Sequence, residues 1–297
     1  MLMVVDIGGT FIRIGAIDEG GTTPPQGIRR IFTASLDGPD AVTALASVLL
    51  ECMSLHRLQL VGCVLGVPAS FDEAMDEVIR CHNIPTFEGR KLKSELQELL
   101  GIPVCLERDT MLSLLGEASC LDLSGDPTSL GVFFGTGIGG DVLLNNRPYR
   151  LPYSGFELGH IPIEVDGKQC VCGSRGCAEA YANGFLIDEI ALRHDIDYED
   201  VFTYWQDGSE LAASLQRIVE VEALVVASAI TLFNPLWVVI GGGIVAMGGY
   251  PRRYFADLVK SLLREPYPAQ TARLVWASLG PDAPLVGARV RYALARC

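Results

Sequence analysis

Basic residues are scarce in this chain, and the shortage limits the partners it can have. Its 297 residues include 23 Lys and Arg against 36 Asp and Glu, which leaves a net charge of −13. We therefore expect neither nucleic acid nor an anionic membrane as the main partner, since both are negatively charged. A phosphorylated ligand would have to be held by backbone N–H groups and a divalent cation instead of a basic patch.

Two common nucleotide-binding signatures are also missing, as is a membrane span. No segment reads G-x-x-x-x-G-K-[ST], so a P-loop protein is excluded. The glycine run at 135–140 precedes the strand-like segment Asp141–Leu144, where a dinucleotide-binding fold requires a helix.

The uncharged run at 223–249 is long enough to cross a membrane, but Asn234-Pro235 interrupts it. This interruption predicts a buried helix, a turn and a buried strand.

No secretory leader is expected, because the first residues lack a basic stretch and turn acidic at Asp6. The nine cysteines are an odd number, and a reducing compartment, most simply the cytosol, is predicted. Five cysteines lie in apolar segments and are predicted to be small core residues. They are Cys52, Cys63, Cys81, Cys105 and Cys120.

A histidine and three cysteines form the most informative cluster of the chain. His160 stands ten positions before Cys170, and Cys172 and Cys177 follow within a glycine-containing loop. One imidazole and three thiolates are the Cys₃His set of a tetrahedral structural zinc site. The alternative is three buried thiols and a hydrogen-bonded histidine, but free cysteines rarely cluster this closely. The cluster predicts a zinc ion that shapes a loop and takes no part in chemistry.

Two similar rounds of alternating strands and helices follow each other along the chain. Each begins with a strand, a glycine-rich turn and a second strand: Leu2–Val5 and Phe11–Ile17, then Leu130–Phe134 and Asp141–Leu144. This is a coarse duplication of a β-β-β-α-β-α-β-α unit. It predicts an α/β protein with helix-covered sheets and a ligand between two lobes.

The glycine turns occupy equivalent points of the two rounds. A glycine turn between strands is usually only a hairpin, but two of them predict a pair of anion-binding loops, since glycine with φ > 0 lets N–H groups approach an anion. Asp6, beside the first loop, could hold Mg²⁺ or cap the turn.

Gly241-Gly242-Gly243 could lie against a base or ribose, or form a tight strand-to-helix turn. Asp109 begins a predicted helix, where it could be an N-cap or a functional anion.

Six segments, in this order, resemble the ROK family of sugar kinases and repressors, and the match runs nearly end to end. The histidine–cysteine segment is the most specific. The segments are Asp6-Ile7-Gly8-Gly9-Thr10, Arg108-Asp109, Gly135-Thr136-Gly137-Ile138-Gly139, Glu157-Leu158-Gly159-His160, Cys170-x-Cys172-Gly173-x-x-Gly176-Cys177 and Val238-Val239-Ile240-Gly241-Gly242-Gly243.

The resemblance implies a two-lobed, actin-like ATPase fold of the ribonuclease H-like kind, with a structural zinc loop. The expected small domain comprises residues 1–117 and the C-terminal helix 284–297, and the expected large domain comprises 118–283. The implied reaction transfers the γ-phosphate of ATP, with Mg²⁺, to the 6-hydroxyl of a hexose. A cytoplasmic homodimer is expected, with no nucleic-acid or membrane partner.

The resemblance also implies roles for particular residues, with Asp109 as the catalytic base. The expected sugar contacts are Asn83, Arg108, Asp109, Glu157, His160 and Glu179. The expected nucleotide contacts are Asp6, Gly8, Gly9, Thr10, Gly135, Thr136, Gly137, Gly139, Gly242 and Gly243. The expected zinc ligands are His160, Cys170, Cys172 and Cys177.

Two positions depart from the usual family pattern. Arg108 stands where most family kinases carry Asn, and Phe156 stands before Glu157, where Gly is usual. Arg108 resembles what allose kinase-like members carry, which makes D-allose the expected acceptor. Arginine is longer than asparagine and always charged, so it could reach a hydroxyl of changed stereochemistry.

Several alternatives to a D-allose kinase follow from the same resemblance. The family also contains glucokinases, fructokinases and N-acetylmannosamine kinases. A repressor of the family would carry a helix-turn-helix before its first glycine loop, which we do not expect here because that loop starts at Asp6. A catalytically silent sugar sensor would bind sugar without consuming ATP.

Overall fold

The computed structural model divides into two compact units. It describes residues 1–18, 27–36, 38, 40–56, 59–121, 123, 128–151, 155–206 and 208–295. The first unit comprises Met1–Asp122, Arg150–Gly155 and Asp282–Cys297, and the second comprises Leu123–Tyr149 and Phe156–Pro281. The chain therefore returns to the first unit twice, once for a short segment and once for its C-terminal helix.

Strands and helices alternate along most of the described chain. The strands are β1 (Leu2–Ile7), β2 (Phe11–Ile17), β3 (Arg29–Phe32), β4 (Gly62–Val67), β5 (Ser70–Phe71), β6 (Val78–Arg80), β7 (Val104–Arg108), β8 (Thr128–Phe134), β9 (Ile138–Leu144), β10 (Arg147–Pro148), β11 (Trp237–Gly241) and β12 (Arg273–Trp276). The helices are α1 (Ala41–His56), α2 (Leu92–Leu100), α3 (Asp109–Cys120), α4 (Gly184–His194), α5 (Glu210–Phe233), α6 (Arg252–Leu262) and α7 (Ala283–Ala295).

The main sheet of the first unit has five strands in the order β3-β2-β1-β4-β7. The β1–β2 and β2–β3 pairs are antiparallel, whereas β1–β4 and β4–β7 are parallel. Every residue of β1 and β4 is buried, as expected for central strands covered on both faces. The register pairs Asp6 with Gly66 and Gly66 with Glu107, so these three residues lie in a row at the carboxyl end of the sheet.

The sheet of the second unit has the order β10-β9-β8-β11-β12. Its β8–β9 and β9–β10 pairs are antiparallel, and its β8–β11 and β11–β12 pairs are parallel. The strand order and pairing directions are those of the first sheet. Two mixed sheets with helices confirm the predicted α/β class, while an origin by duplication stays a prediction.

The long uncharged run of the sequence forms the end of α5, a turn and β11. Helix α5 ends at Asn234, which adopts the left-handed conformation at φ 44° immediately before Pro235. The interruption predicted from Asn234-Pro235 is therefore confirmed. Among the described residues, no helix is long and apolar enough to cross a membrane.

Helices α3 and α7 of the first unit approach each other closely at two glycines. A Cβ on Gly116 of α3 would overlap the carbonyl oxygen of Ala283, and a Cβ on Gly287 of α7 would overlap that of Leu112. Neither glycine can be replaced without moving a backbone. The contact fixes α3, the helix that Asp109 begins, against the C-terminal helix.

The cysteines predicted to be core residues divide into two groups. Cys52, Cys63 and Cys81 are free and buried, as predicted. Cys120 is free but exposed, because it lies at the last position of α3. Cys105 is buried but is disulfide-bonded. The prediction of a core position is therefore confirmed for Cys105, and it is wrong for Cys120.

Candidate functional site

The first glycine turn, Gly8-Gly9-Thr10, joins β1 to β2 in the first unit. The Gly8 N–H donates to Phe11 O at 2.9 Å. Neither Gly8 nor Gly9 has a positive φ, so the expected left-handed backbone is wrong here. A Cβ on Gly8 would approach Phe11 O tightly, at 3.1 Å, whereas a Cβ on Gly9 would make only an ordinary contact with Asn83 Nδ2, at 3.6 Å. The turn thus brings the predicted sugar contact Asn83 beside its backbone.

Thr10 ends this turn and is exposed. Its carbonyl oxygen accepts from the Thr33 N–H at 2.9 Å, and Thr33 Oγ1 donates to Gly8 O at 2.7 Å. Thr33 is buried and holds the turn at both ends. The Thr10 side chain therefore lies on a braced loop.

Asp6, at the end of β1, is buried and paired with Arg13 of β2. Arg13 donates to Asp6 Oδ2 from Nε at 3.1 Å and from Nη2 at 2.6 Å. Burial raises the pKa of Asp6, and the charge and hydrogen bonds of Arg13 oppose this by lowering it. Within the described residues no group donates to Oδ1, and the turn N–H groups are not capped by this carboxylate. Oδ1 is the oxygen that a water or a cation could reach.

Asp109 is the first residue of α3, at the helix N-terminus where it was predicted. The N-cap position belongs to Arg108, so the alternative role of Asp109 as the N-cap is wrong. A Cβ on Gly66 would lie 3.4 Å from Asp109 Cα and 3.6 Å from Asp6 Oδ1. Asp6 and Asp109 therefore flank the same glycine at the carboxyl end of the sheet.

Glu107, two residues before Asp109, is 1 % exposed and lies among arginines. Arg291 of α7 donates from Nε to Oε2 at 2.7 Å, and Arg150 donates to Oε1 at 3.1 Å and to Oε2 at 2.5 Å. The Arg108 backbone N–H adds a bond to Oε1 at 3.1 Å. The carboxylate ties the end of β7 to α7 and to residue 150. Sequence analysis missed Glu107, and the one available signal was a lone acid closing an apolar strand.

Arg108, a predicted sugar contact, is partly engaged with the protein itself. Its Nη1 donates to Gly155 O at 2.6 Å, a residue of the same unit. Arg108 and Glu107 thus hold the segment Arg150–Gly155 at its two ends. Any contact of Arg108 with a ligand would have to use its remaining donors.

The second glycine turn, in the second unit, is shorter than predicted. Strand β9 begins at Ile138, so Gly139 lies within the strand, where it pairs with Phe133. The turn is Gly135-Thr136-Gly137, closed by Gly135 N–H donating to Gly137 O at 2.9 Å, with Thr136 exposed. The strand after this turn confirms that it is not a dinucleotide-binding loop.

The Glu179 carboxylate lies between two glycines. Its Oε2 accepts from the Ile138 N–H at 2.8 Å. A Cβ on Gly137 would overlap Glu179 Oε2, and one on Gly159 would lie 3.0 Å from it. A side chain at Gly137 would therefore displace the Glu179 carboxylate from its present position, and Glu179 lies between the glycine turn and the helical turn that contains His160.

The triple glycine packs against the end of β8. Gly242 has φ 101°, and a Cβ there would overlap the carbonyl oxygen of Phe134. The Ile244 N–H donates to that same oxygen at 3.1 Å. Gly243 has open space around its Cβ position. Gly242 is thus held next to the residue that precedes Gly135, and Gly243 leaves its backbone accessible.

The predicted zinc ligands converge. The ligand atoms of His160, Cys170, Cys172 and Cys177 all lie within 4.8 Å of one another. His160 Nδ1 is 3.6 Å from Cys170 Sγ, and Cys172 Sγ is 3.7 Å from Cys177 Sγ. The glycines of this loop have the positive φ that was expected, 93° at Gly173 and 73° at Gly176. The four residues therefore form a cluster that can hold a metal ion.

Phe156 and Glu157 immediately precede the helical turn Leu158–His160, which contains one of the predicted zinc ligands. Glu157 is exposed, and its carbonyl oxygen accepts from the His160 N–H at 3.0 Å. Phe156 has φ 74°, a conformation in which a non-glycine residue is strained by about 1–2 kcal/mol. Its ring packs 4.7 Å from that of Phe233. The backbone of Phe156 thus has a left-handed conformation that glycine adopts without strain. The contact of its ring with Phe233 offsets the strain that a phenylalanine has in this conformation.

Comparison with known proteins shows to which family this chain belongs. A profile of the ROK family matches residues 2–294. The Thermotoga maritima glucokinase is 31% identical over 268 residues, 83% of each chain. The Citrobacter koseri N-acetyl-D-glucosamine kinase is 28% identical over 263 residues, 80% of this chain and 82% of the relative. A ROK family glucokinase from Streptomyces griseus, solved in complex with glucose and AMPPNP, superposes with a TM-score of 0.81 at 25% identity over 99% of each chain. The chain belongs to the ROK family, and it is a sugar kinase, a phosphotransferase whose acceptor is a hydroxyl group.

Proposed function

We propose that this protein is an ATP-dependent hexose kinase that phosphorylates the 6-hydroxyl of its sugar. The observation that carries the proposal is Asp109 at the first position of α3, flanking Gly66 together with Asp6. A carboxylate at a helix N-terminus is stabilised as an anion by the helix dipole. It can therefore accept a proton without first losing one.

In the proposed reaction the sugar oxygen attacks the γ-phosphorus of ATP as its proton passes to Asp109. The bond between the γ-phosphorus and the β–γ bridging oxygen breaks, and ADP leaves. Most of the rate enhancement comes from positioning and from neutralising the phosphate charge. Proton acceptance by Asp109 contributes about 10²–10⁴-fold.

The nucleotide is proposed to bind through backbone groups of the glycine turns and the triple glycine. The residues proposed in this role are Gly8, Gly9, Thr10, Gly135, Thr136, Gly137, Gly242 and Gly243. Gly139 in β9 and Asp6 in β1 adjoin the two turns, and Asp6 is proposed to act through its side chain. Mg²⁺, which neutralises phosphate charge when bound, fits Oδ1 of Asp6, because Arg13 occupies the other oxygen.

Zinc is proposed for the cluster of His160, Cys170, Cys172 and Cys177. A tetrahedral zinc ion with bonds of about 2.3 Å to sulfur and 2.0–2.1 Å to nitrogen separates two sulfurs by about 3.8 Å and a sulfur from a nitrogen by about 3.6 Å. The observed 3.7 Å and 3.6 Å fit this geometry. Metal analysis should find one zinc per chain, and protein with all four side chains intact but without zinc would contradict the assignment.

The proposed sugar contacts are Asn83, Arg108 and Asp109 in the first unit and Glu157, His160 and Glu179 in the second. Arg108 carries the finer proposal that the acceptor is D-allose. Glucose is the second candidate, because the 31% identical relative is a glucokinase. Fructose and N-acetylmannosamine follow as further acceptors. The cytoplasmic location, the homodimer and the bounds of the two domains stay predictions.

Turnover of the Asp109→Asn variant tests the proposed function. We expect kcat to fall by about 10²–10⁴-fold while calorimetry still detects sugar binding. Asp18→Asn, at an exposed position of the same unit, is the matched control and should leave kcat unchanged. Near-normal kcat in Asp109→Asn would remove Asp109 from the role of base.

The acceptor is identified by ADP release with MgATP over a panel of hexoses and amino sugars. We expect allose to give the highest kcat/KM and Arg108→Asn to shift the preference toward glucose. Equal turnover of allose and glucose by the unaltered protein would contradict the role of Arg108. Sugar binding without ADP release from any sugar would instead identify a silent sensor.

A further inference from the structure

A cavity of about 430 Å³ lies on the second unit, and none of the residues assigned above to sugar, nucleotide or zinc lines it. Its floor includes the buried side chains of Tyr181, Ile190 and Ile218. Small-molecule sites typically have volumes of about 300–1,000 Å³ and apolar linings with a few polar groups. The cavity therefore has the size and floor of a binding site.

Three cations stand at the rim of this cavity: Lys168, Arg193 and Arg217, all exposed. In the part of the chain that the structure describes, neither Lys168 nor Arg193 forms a salt bridge. Arg217 has only Glu220, at 4.0 Å. Lys168 and Arg193 are therefore two cations at one cavity that are not neutralised by an ion pair within the described residues, and they can attract an anion.

Tyr181 orients two of these cations over the cavity floor. Lys168 Nζ lies 5.1 Å from the centre of the Tyr181 ring, and Arg217 Cζ lies 5.8 Å from it. Both distances are within the range of cation–π attraction. The Lys168 backbone N–H also donates to the Tyr181 hydroxyl at 2.6 Å. The positive groups are thus partly preorganised although they are exposed.

Two carboxylates at the rim restrict what kind of anion fits. Glu189 and Glu210 line the same cavity as the three cations. They would repel an extended polyanion, but they accept hydrogen bonds from hydroxyl groups. A ligand with one phosphate and several hydroxyls matches both sets of charges.

We propose that this cavity binds a small phosphate monoester that carries hydroxyl groups, the chemical class of a sugar phosphate. The phosphate lies against Lys168 and Arg193, the hydroxyls face Glu189 and Glu210, and the carbon skeleton contacts the apolar side chains of Ile190 and Ile218. The site goes beyond the kinase function, because it shares no residue with the proposed acceptor and nucleotide sites.

Calorimetric titration of the full chain with glycerol 3-phosphate, a phosphate monoester that is not a hexose, tests the proposal. We expect saturable binding that is tighter than that of inorganic phosphate and absent for glycerol. Arg193→Ala and Lys168→Ala should each weaken binding by about tenfold, since hydrogen bonds to charged groups are lost. Arg253→Ala is the matched control, because this exposed arginine of α6 lies outside the cavity, and its affinity should equal that of the unaltered protein.

Two results would overturn the proposal. The first is no saturable binding, or binding unchanged in both cavity variants, which would locate the probe at another phosphate site. The second is an equal loss in Arg253→Ala, which would show a general effect of positive charge. The Asp109→Asn experiment addresses the kinase function separately, so the failure of one proposal is distinguishable from the failure of the other.

Discussion

A glutamate is buried in each unit, and the two are accommodated in opposite ways. Glu107 in the first unit is 1 % exposed, and Glu222 on α5 in the second is 0 % exposed. Two arginines and a backbone N–H donate to Glu107. Glu222 accepts one bond from the Tyr250 hydroxyl at 2.6 Å, and its Oε1 has no hydrogen-bond partner among the described residues.

The two glutamates differ in the charge of their neighbours. Burial raises the pKa of Glu222 to about 8, with only a partial lowering by the Tyr250 hydrogen bond, so Glu222 is mainly neutral at pH 7. Glu107 instead lies within an ion-pair network with Arg150 and Arg291. Equal burial is therefore accommodated in two ways, by a neutral hydroxyl beside Glu222 and by two guanidinium groups beside Glu107.

Removing the Glu107 carboxylate should have the largest effect. Glu107→Ala leaves Arg291 and Arg150 without their acceptor, and breaking a buried pair costs about 3–5 kcal/mol. All three tryptophans lie in the second unit, so unfolding of the first unit should be followed by far-UV circular dichroism or hydrogen exchange in β7 and α7. Glu107→Gln keeps the shape and should cost less. A loss below about 1 kcal/mol in Glu107→Ala would remove the contrast with Glu222.

The second largest effect should be the pH dependence that Glu222 gives to the free energy of unfolding. Below pH 4.5 the carboxyl is protonated in both states; between 4.5 and about 8 the unfolded state ionises while the native state holds its proton. The native state then binds more protons, so its stability falls as pH rises through this window, by at most about 5 kcal/mol. Glu222→Gln removes this slope without changing the shape of the side chain.

Tryptophan fluorescence during denaturant unfolding at several pH values measures this difference, because Trp276 lies 6.2 Å from Tyr250. The free energy of unfolding of Glu222→Gln, minus that of the unaltered protein, should grow between about pH 5 and 8. A constant difference would show that Glu222 ionises alike in the native and unfolded states.

Replacement of the two arginines that donate to Glu107 should destabilise the protein to different extents. The side chain of Arg291 is 14% exposed and that of Arg150 is 39% exposed. Arg291→Ala should therefore cost about 1.5–3 kcal/mol, as for a hydrogen bond to a charged group. Arg150→Ala should cost about 1 kcal/mol or less and become smaller in high salt. The ranking would be contradicted if the two variants lost the same free energy of unfolding, or if the loss in Arg150→Ala were the same at low and high salt.

Tyr250→Phe should also have a small effect, about 1 kcal/mol, because one hydrogen bond to Glu222 is lost while the ring contacts remain. The pKa of Glu222 should rise further, because the Tyr250 hydrogen bond lowers it. The same fluorescence titration should show the pH-dependent loss of stability extending to higher pH. An unchanged titration would mean that the hydroxyl does not influence Glu222.

Features that depend on nearby residues could be predicted from the sequence. The apolar runs of β1 and β4, the start of α3 at Asp109 and the break at Asn234 all follow from local patterns. The four residues proposed to bind zinc lie within a short stretch, so their convergence could be predicted from spacing and glycine content.

The functions of the glycines were predicted less well. Flexibility was expected at Gly8 and Gly9, yet neither has a positive φ. At Gly137 the carboxylate of Glu179 fills the space that a side chain would occupy. The conformation of Phe156 also depends on a distant partner, Phe233. These roles depend on packing between distant segments, which no local pattern records.

By itself, the sequence determined the α/β class, the strands on either side of each glycine turn and the cluster of one histidine and three cysteines, because each depends on residues that are close along the chain. Only the tertiary structure decided which buried acids are matched by cations. Arg150 and Arg291 lie 43 and 184 positions from Glu107, and Arg193 and Lys168 meet at one cavity although they belong to different segments. Electrostatic and packing energies depend on separation in space, and folding sets that separation.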